Sequence, residues 1–196
     1  MVIAGTHQRV MIDAVWPKPG VARELALILG GSLLLTLAAQ IQIVLPFSPV
    51  PVTGQTFAIL LLGTLYGSRR GPATVATYIT LGILGLPVFA GGAAGMAKLL
   101  GPTAGYLIGF VVAALIVGLL SERGWDRNPR TTIASMIIGN VVIYIVGITW
   151  LSRFVGWEAV LSTGVLPFLA GDALKIALAT VLLPTGWRLI GQAGQH

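Results

Sequence analysis

The chain contains no cysteine and only two histidines, which stand near its two ends. Without cysteine it forms no disulfide and offers no thiolate to a metal ion. A histidine-based metal site or proton relay inside the protein is also not expected, because neither histidine falls in the body of the chain. The sequence therefore predicts no bound metal and no cofactor.

Charge is the second scarcity. Only 9% of the 196 residues are charged and 56% are hydrophobic, whereas a soluble domain has about 25% charged residues. The mean hydropathy of +0.91 agrees with this composition. Four stretches lack any charged residue, and each is long enough for a membrane-spanning helix of about 20 residues. These stretches are 25–68, 71–97, 99–121 and 131–152.

We predict an all-α integral membrane protein with a bundle of about six transmembrane helices and both termini in the cytoplasm. The apolar runs are continuous and do not alternate, which favours helices. The predicted organisation is a cytoplasmic tail over 1–24, a six-helix substrate-binding domain over 25–190 and a C-terminal tail over 191–196. The predicted spans are approximately 25–45, 55–68, 71–88, 103–121, 131–151 and 165–187.

The positions of the 12 Lys and Arg residues support this topology. Most of them lie in segments that it places in the cytoplasm, whereas only Lys98 and Arg153 fall outside and Lys175 falls within the membrane. This asymmetry satisfies the positive-inside rule. Because the basic residues do not gather on one soluble face, the net charge of +6 does not indicate a nucleic-acid partner.

Catalytic and nucleotide-binding motifs are also missing. The sequence has no phosphate-binding G-x-x-x-x-G-K-[ST] loop, no G-x-G-x-x-G dinucleotide fingerprint and no H-E-x-x-H or G-x-S-x-G motif. We therefore expect a protein that is not an enzyme and has no ATPase site of its own. Any energy that it uses would come from an ion gradient or from a partner.

Against this background, Asp172 and Lys175 are conspicuous, because they lie three residues apart inside the last apolar stretch. Each charge costs about 2.5–3.5 kcal/mol at the centre of a membrane helix. Residues at i and i+3 share a helix face, so the two can neutralise each other or hold the polar ends of a ligand. We interpret them as a binding site; an ion pair that only locks helix packing is the alternative.

Two predicted outer loops could close over such a site. The first, 46–54, contains three prolines that stiffen the backbone and leads to Gln55. The second, 87–102, is rich in Gly and Ala and carries Lys98, so we interpret it as a mobile lid with a cation. Both are also compatible with ordinary surface connections.

Other intramembrane polar residues are weaker candidates for ligand binding, because such side chains often bond neighbouring helices. Small residues at four-residue spacing let helices approach closely, and we expect the glycine faces at 63–71 and 101–109 to pack within the bundle. The face formed by Ala22, Ala26 and Gly30 is the predicted docking surface for a separate membrane subunit. The polar candidates are Asn140, Tyr106, Tyr144, Gln40 and Gln42.

Four motifs together resemble the BioY family, the biotin-binding S components of energy-coupling factor (ECF) transporters. They are PVPVTGQT at 49–56, LPVFAG at 86–91, GPTAGYL at 101–107 and GDALK at 171–175. The resemblance covers nearly all of the membrane region. The family usually has glycine where this chain has Ala104, a departure of one methyl group that should not change the class of ligand.

The resemblance implies a multi-pass protein of a prokaryotic cell (inner) membrane that captures biotin from outside. It also implies import driven by a transmembrane T component and two cytoplasmic ABC ATPases, and it carries the family's Asp and Lys onto Asp172 and Lys175. Biotin has a carboxylate at one end and a ureido group at the other. Lys98 or Lys175 could pair with the carboxylate, and Asp172, Asn140 or Gln55 could bind the ureido group.

Three alternatives stay open. The chain could be a self-sufficient proton-coupled carrier for a small vitamin or organic anion, with Asp172 binding the coupling proton. It could be a structural or assembly subunit that tolerates loss of Asp172 and Lys175. It could also be a relative of the same architecture that binds thiamine or riboflavin.

Overall fold

A computed structural model describes residues 9–193; the predicted tail residues 1–8 and 194–196, with His7 and His196, lie outside this range. The described chain is mostly helical. A short antiparallel hairpin joins β1 (Gln42–Ile43) to β2 (Val52–Thr53), and a 3-10 turn covers Ala90–Gly92. The helices are α1 (Met11–Val15), α2 (Val21–Gln40), α3 (Gln55–Ile83), α4 (Ala97–Leu100), α5 (Ala104–Ser121), α6 (Pro129–Gly164) and α7 (Leu166–Ala193).

Within residues 9–193, four helices are long and apolar enough to cross a membrane, namely α2, α5, α6 and α7. Large apolar side chains are exposed along their outer faces; Leu33, Ile145 and Val181 are 60%, 58% and 65% exposed. Water would oppose so much exposed apolar surface, whereas lipid accepts it. The protein is therefore a helical, multi-pass membrane protein.

Helix α3 is two antiparallel arms, 55–66 and 68–83, joined at Gly67. The side-chain amide of Gln55 donates to the hydroxyl of Tyr78 at 2.9 Å, although 23 residues of straight helix would separate them by about 35 Å. Gly67 has φ of 82°, which glycine adopts without strain. Glu122 Oε1 accepts from the amide of Ser68 at 2.8 Å and so caps the second arm.

The two arms correspond to the predicted spans 55–68 and 71–88, but the second arm begins and ends earlier than predicted. Pro72 is the fifth residue of that arm and lies inside the helix, where it has no amide hydrogen to donate to the carbonyl one turn earlier. The arm stops at Ile83, and the chain turns at Gly85 with φ of 101°. The sequence 84–88 thus belongs to the following loop.

Helix α2 is also displaced from its predicted bounds, 25–45. It starts at Val21 and ends at Gln40, because residues from Ile41 onward enter the β1–β2 hairpin. The amide of Gly54 donates to the carbonyl of Ile41 at 2.9 Å and closes this hairpin.

Helix α6 extends beyond the predicted span 131–151 and then reverses. Asn128 caps its start by accepting from the amide of Arg130, with Pro129 as the first helical residue. Gly156, with φ of 78°, breaks the helix. Residues 157–164 then fold back, so that a Cβ on Gly164 would lie 2.7 Å from the Leu151 side chain.

Glycines bring the helices close together, as predicted for the two glycine faces. A Cβ on Gly63 would lie 2.9 Å from the backbone of Ala114 on α5. A Cβ on Gly105 would lie 2.4 Å from the Cβ of Trp150 on α6. Helix α5 therefore packs in the middle, between α3 and α6, while α7 lies against α6.

The two ends of the bundle differ in charge. The hairpin end, formed by 41–54, 84–103 and 157–165, contains few charged residues. At the opposite end, the α1 end, Asp13 accepts from Arg23 at 2.8 Å and from Arg70 at 2.9 Å. Partial burial would raise the pKa of Asp13, but the hydrogen bonds from the two guanidinium groups outweigh it and leave the pKa below its usual value.

The loop between α5 and α6 is fixed to α7 at the α1 end. Asp126 is 1% exposed and accepts from the indole of Trp187 at 2.6 Å, while Arg127 stacks 4.3 Å above the same ring. Burial raises the pKa of Asp126, because the indole hydrogen bond and the Arg127 charge offset only part of the desolvation cost.

Candidate functional site

A cavity lies at the hairpin end, enclosed by the outer loops and by α3, α5, α6 and α7. Its empty volume is about 700 Å³, counting the space at its mouth. Its apolar walls come mainly from Phe89, Leu107, Phe110, Ile143 and Phe168. Its polar lining is formed by Gln55, Thr56, Lys98, Thr103, Tyr106, Tyr144, Asp172 and Lys175 together with Thr53.

Asp172 and Lys175 form an ion pair in this cavity. Lys175 Nζ donates to Asp172 Oδ1 at 3.2 Å and to Thr56 Oγ1 at 2.7 Å. The hydroxyl of Tyr144 donates to the other oxygen of Asp172. An ammonium has three donors and a carboxylate about four acceptor positions, so each group keeps capacity for a ligand.

Burial of this ion pair costs free energy, because both charges lose contact with water. Asp172 is only 4% exposed, and the Lys175 side chain is 18% exposed. Charges removed from water need both a partner and further hydrogen bonds. Thr56 and Tyr144 supply these from α3 and α6, so three helices hold the pair.

Lys98 lines the same cavity from α4 and is half-buried. Across residues 9–193, no carboxylate lies within salt-bridge distance of its ammonium. It is therefore the cation of the cavity that is available to an anionic group of a ligand.

The loop that carries Lys98 is anchored on both sides. Gln40 donates to the carbonyl of Phe89 at 3.2 Å and accepts from the amide of Gly92 at 3.1 Å. Beyond α4, the indole of Trp150 donates to the carbonyl of Gly101 at 3.0 Å. The segment predicted as a mobile lid thus has fixed ends, with Lys98 between them.

The proline-rich loop forms another wall and is fixed to residues 157–164. Ser48 Oγ donates to the carbonyl of Thr163 at 2.6 Å. The Tyr106 hydroxyl donates to the neighbouring carbonyl of Gly164 at 2.7 Å. These two bonds join the proline-rich loop, α6 and α5 around the cavity.

Five of the six predicted ligand-binding residues line this cavity, namely Asp172, Lys175, Lys98, Gln55 and Tyr106. The Tyr106 hydroxyl already serves Gly164, so this residue contributes mainly its ring. The sixth predicted residue, Asn140, does not line this cavity.

Asn140 does not reach the main cavity. It lies one turn from Tyr144 on α6, beside a smaller space of about 180 Å³ that Thr56 and Lys175 also line. Its amide donates to the carbonyl of Met136 within the same helix at 3.1 Å. Asn140 therefore lies near Lys175 of the ion pair but outside the main cavity.

The predicted docking face lies on the outside of α2. Ala22, Ala26 and Gly30 are all exposed, and nothing lies within 4 Å of a Cβ placed on Gly30. Within residues 9–193, no other part of the chain covers this face.

Thr56 and Tyr144 were not predicted as site residues. Thr56 directly follows Gln55, so its position in the PVPVTGQT motif was the available signal. Tyr144 was considered only among the weaker polar candidates, because its contact with Asp172 depends on how α6 and α7 are aligned.

A family model described as the BioY family matches residues 8–192. The chain belongs to the BioY family. The resemblance inferred from the four motifs is therefore confirmed over nearly the whole length of the chain.

Named relatives agree with this membership. The chain is similar to a "Probable biotin transporter BioY" of Pyrococcus horikoshii, with 40% identity over 161 residues that cover 82% of this chain and 94% of that protein. It is also similar to a "Biotin transporter BioY" of Thermotoga maritima, with 37% identity over 150 residues that cover 76% and 86% of the two chains.

A solved structure shares the fold. The match is to the crystal structure of "the S-component for biotin from an ECF-type ABC transporter", with a TM-score of 0.74 and 27% sequence identity. The alignment covers 84% of this BioY-family chain and 90% of the solved chain.

Proposed function

We propose that this BioY-family chain is the biotin-binding S component of an ECF-type vitamin uptake transporter. The names of its relatives and of its structural neighbour support this function. The observation that carries the proposal is the cavity, which contains a buried Asp172–Lys175 pair and a separate cation, Lys98. Such a set fits a ligand with a neutral polar group at one end and a carboxylate at the other.

The two lysines take different roles in this proposal. Lys175 is already bound to Asp172 and Thr56, so we assign this cluster to the ureido group of biotin. Lys98 pairs with the biotin carboxylate, because it has no acidic neighbour within residues 9–193. The apolar and aromatic walls hold the ring and the chain between them.

The proposed topology has six spans, namely α2, the two arms of α3, α5, α6 and α7. Arginines concentrate at the α1 end, which we place in the cytoplasm according to the positive-inside rule. The cavity then faces the outside of a prokaryotic inner membrane.

We further propose that import is driven by partners, a transmembrane T component and two cytoplasmic ABC ATPases. The chain has no phosphate-binding loop of its own, and we propose that it works as a non-enzymatic subunit without a cofactor. The exposed Ala22–Ala26–Gly30 face of α2 is the proposed contact with the T component.

Reconstitution into liposomes tests this function against a proton-coupled carrier. The chain alone should bind biotin without accumulating it, and addition of the T component, the ATPases and ATP should start uptake. Accumulation by the chain alone under a proton gradient would contradict partner-driven import and favour the carrier.

A further inference from the structure

A buried line of hydrogen bonds runs behind the cavity wall. Tyr78, on the second arm of α3, is 0% exposed and does not line the cavity. Its hydroxyl donates to the carbonyl of Val88 at 3.1 Å and receives a hydrogen bond from Gln55 Nε2 at 2.9 Å. Gln55 does line the cavity.

The direction of these bonds follows from the chemistry of the groups. A backbone carbonyl only accepts, so the single proton of the Tyr78 hydroxyl points to Val88. The Tyr78 oxygen can then only accept from Gln55. The atom of the Gln55 amide that faces Tyr78 must therefore be the NH2 group, and Oε1 is the atom left for the cavity.

The reverse orientation of the amide would leave a buried group unpaired. If Gln55 presented Oε1 to Tyr78, the hydroxyl proton would turn to Gln55. Val88 is 9% exposed, and its carbonyl has no other donor within residues 9–193. An unpaired buried carbonyl is unfavourable, so the line has one preferred direction.

Packing holds Tyr78 in the position that this line of hydrogen bonds requires. The ring of Phe89 meets it edge-on, with centroids 5.6 Å apart. Phe89 itself occupies the space beside Gly82, where a Cβ would lie 2.2 Å from the ring. The hydroxyl of Tyr78 therefore has little freedom to move away from Val88 and Gln55.

We propose that Tyr78 is a positioning residue that holds Gln55 with its carbonyl toward the ligand, so that the cavity selects an N–H donor at that point. This inference rests on the proposed function. It completes a set that matches a cyclic urea, with Asp172 and Gln55 as acceptors for two N–H groups and Lys175 as a donor to the carbonyl. A ligand without an N–H group at that point would leave the Gln55 carbonyl unpaired.

Substrate preference tests the role of Tyr78 separately from folding. The probes are biotin and its two cyclic-carbamate analogues, in which an oxygen replaces one ureido N–H. We expect the wild type to bind one analogue at least about tenfold more weakly than biotin because a bidentate site rejects a missing donor. Tyr78→Phe should reduce that ratio to about threefold or less, because the amide of Gln55 can then turn and donate to the ring oxygen.

Two comparisons make this result specific. Tyr66→Phe, at a half-buried tyrosine on the other arm of α3, should keep the wild-type ratio. Gln55→Met should reduce the ratio as Tyr78→Phe does, and the double variant should reduce it no further. A full wild-type ratio in folded Tyr78→Phe would overturn the proposal, as would independent effects of the two substitutions.

A measurement without ligand separates this inference from the proposed function. In the detergent-solubilised protein with 15N-labelled glutamine, the side-chain amide signal of Gln55 can be assigned from its loss in Gln55→Met. Tyr78→Phe should shift that signal and accelerate its hydrogen exchange. An unchanged signal would overturn the proposal that Tyr78 positions Gln55. Failure of the wild type to bind biotin would overturn only the proposed function.

Discussion

Asp172→Asn should destabilise the protein and abolish high-affinity biotin binding. The substitution removes the charge that faces Lys175 Nζ at 3.2 Å and leaves Thr56 as its remaining strong partner. Breaking a buried ion pair costs about 3–5 kcal/mol. Because the Lys175 side chain is 18% exposed, we expect a loss near the lower limit, about 3 kcal/mol.

The companion variants distinguish stability from ligand binding. Lys175→Met should also destabilise the fold, because it leaves a carboxylate that is 6% exposed without its cation. Asp172→Asn combined with Lys175→Met removes both charges and should recover much of the stability. Biotin affinity should remain at least about 100-fold lower in all three variants, which corresponds to about 2.7 kcal/mol.

Stability would be measured by unfolding of the purified variants in detergent, and affinity by calorimetric titration with biotin. Glu158→Gln, which removes an exposed carboxylate at the same end of the bundle, is the matched control and should change neither quantity. Single variants as stable as the wild type would refute the energetic reasoning. Recovery of biotin affinity in the double variant would refute the assignment of the pair to the ligand.

Three further predictions concern separate parts of the chain. Lys98→Ala should weaken biotin binding about tenfold and leave binding of biotin methyl ester unchanged in parallel titrations; an equal loss for both ligands would contradict carboxylate pairing. Ala26→Trp should prevent co-purification with the T component while biotin binding persists, whereas Leu182→Trp on α7 should change neither assembly nor biotin binding; retained assembly of Ala26→Trp would exclude the α2 face. Asp126→Asn should be at least as stable as the wild type at pH 7, because the pKa of Asp126 is raised by burial and its ionised form opposes folding. That advantage should shrink as the pH falls and disappear below 3.8, the ordinary pKa of an Asp carboxyl, because the group is then protonated in both the folded and the unfolded states. Lower stability of the variant at pH 7 in thermal unfolding would contradict the reasoning.

Much of the architecture could be predicted because lipid imposes simple rules on a sequence. Continuous apolar runs require helices, and the basic residues indicate an orientation. The ends of the helices were harder to predict. The stop at Ile83 and the reversal at Gly156 depend on glycine conformations and packing that a hydropathy pattern does not contain.

The charged part of the site was predictable for an energetic reason, since Asp172 and Lys175 are costly within a membrane and three residues apart on one face. The neutral part depended on tertiary alignment. Tyr144 and Asn140 share a face of α6 and lie one turn apart. Tyr144 bonds to Asp172, whereas Asn140 lines only the smaller space beside Lys175. Tyr78 offered no signal, because its role depends on the fold of α3 at Gly67.

The most direct test of the proposed function is a calorimetric titration of biotin into the purified chain without any partner subunit. Saturable, tight binding with one biotin per chain is the predicted result, and thiamine or riboflavin should not compete. Absence of biotin binding by the folded protein, or binding of another vitamin in its place, would contradict the assignment of this cavity to biotin capture.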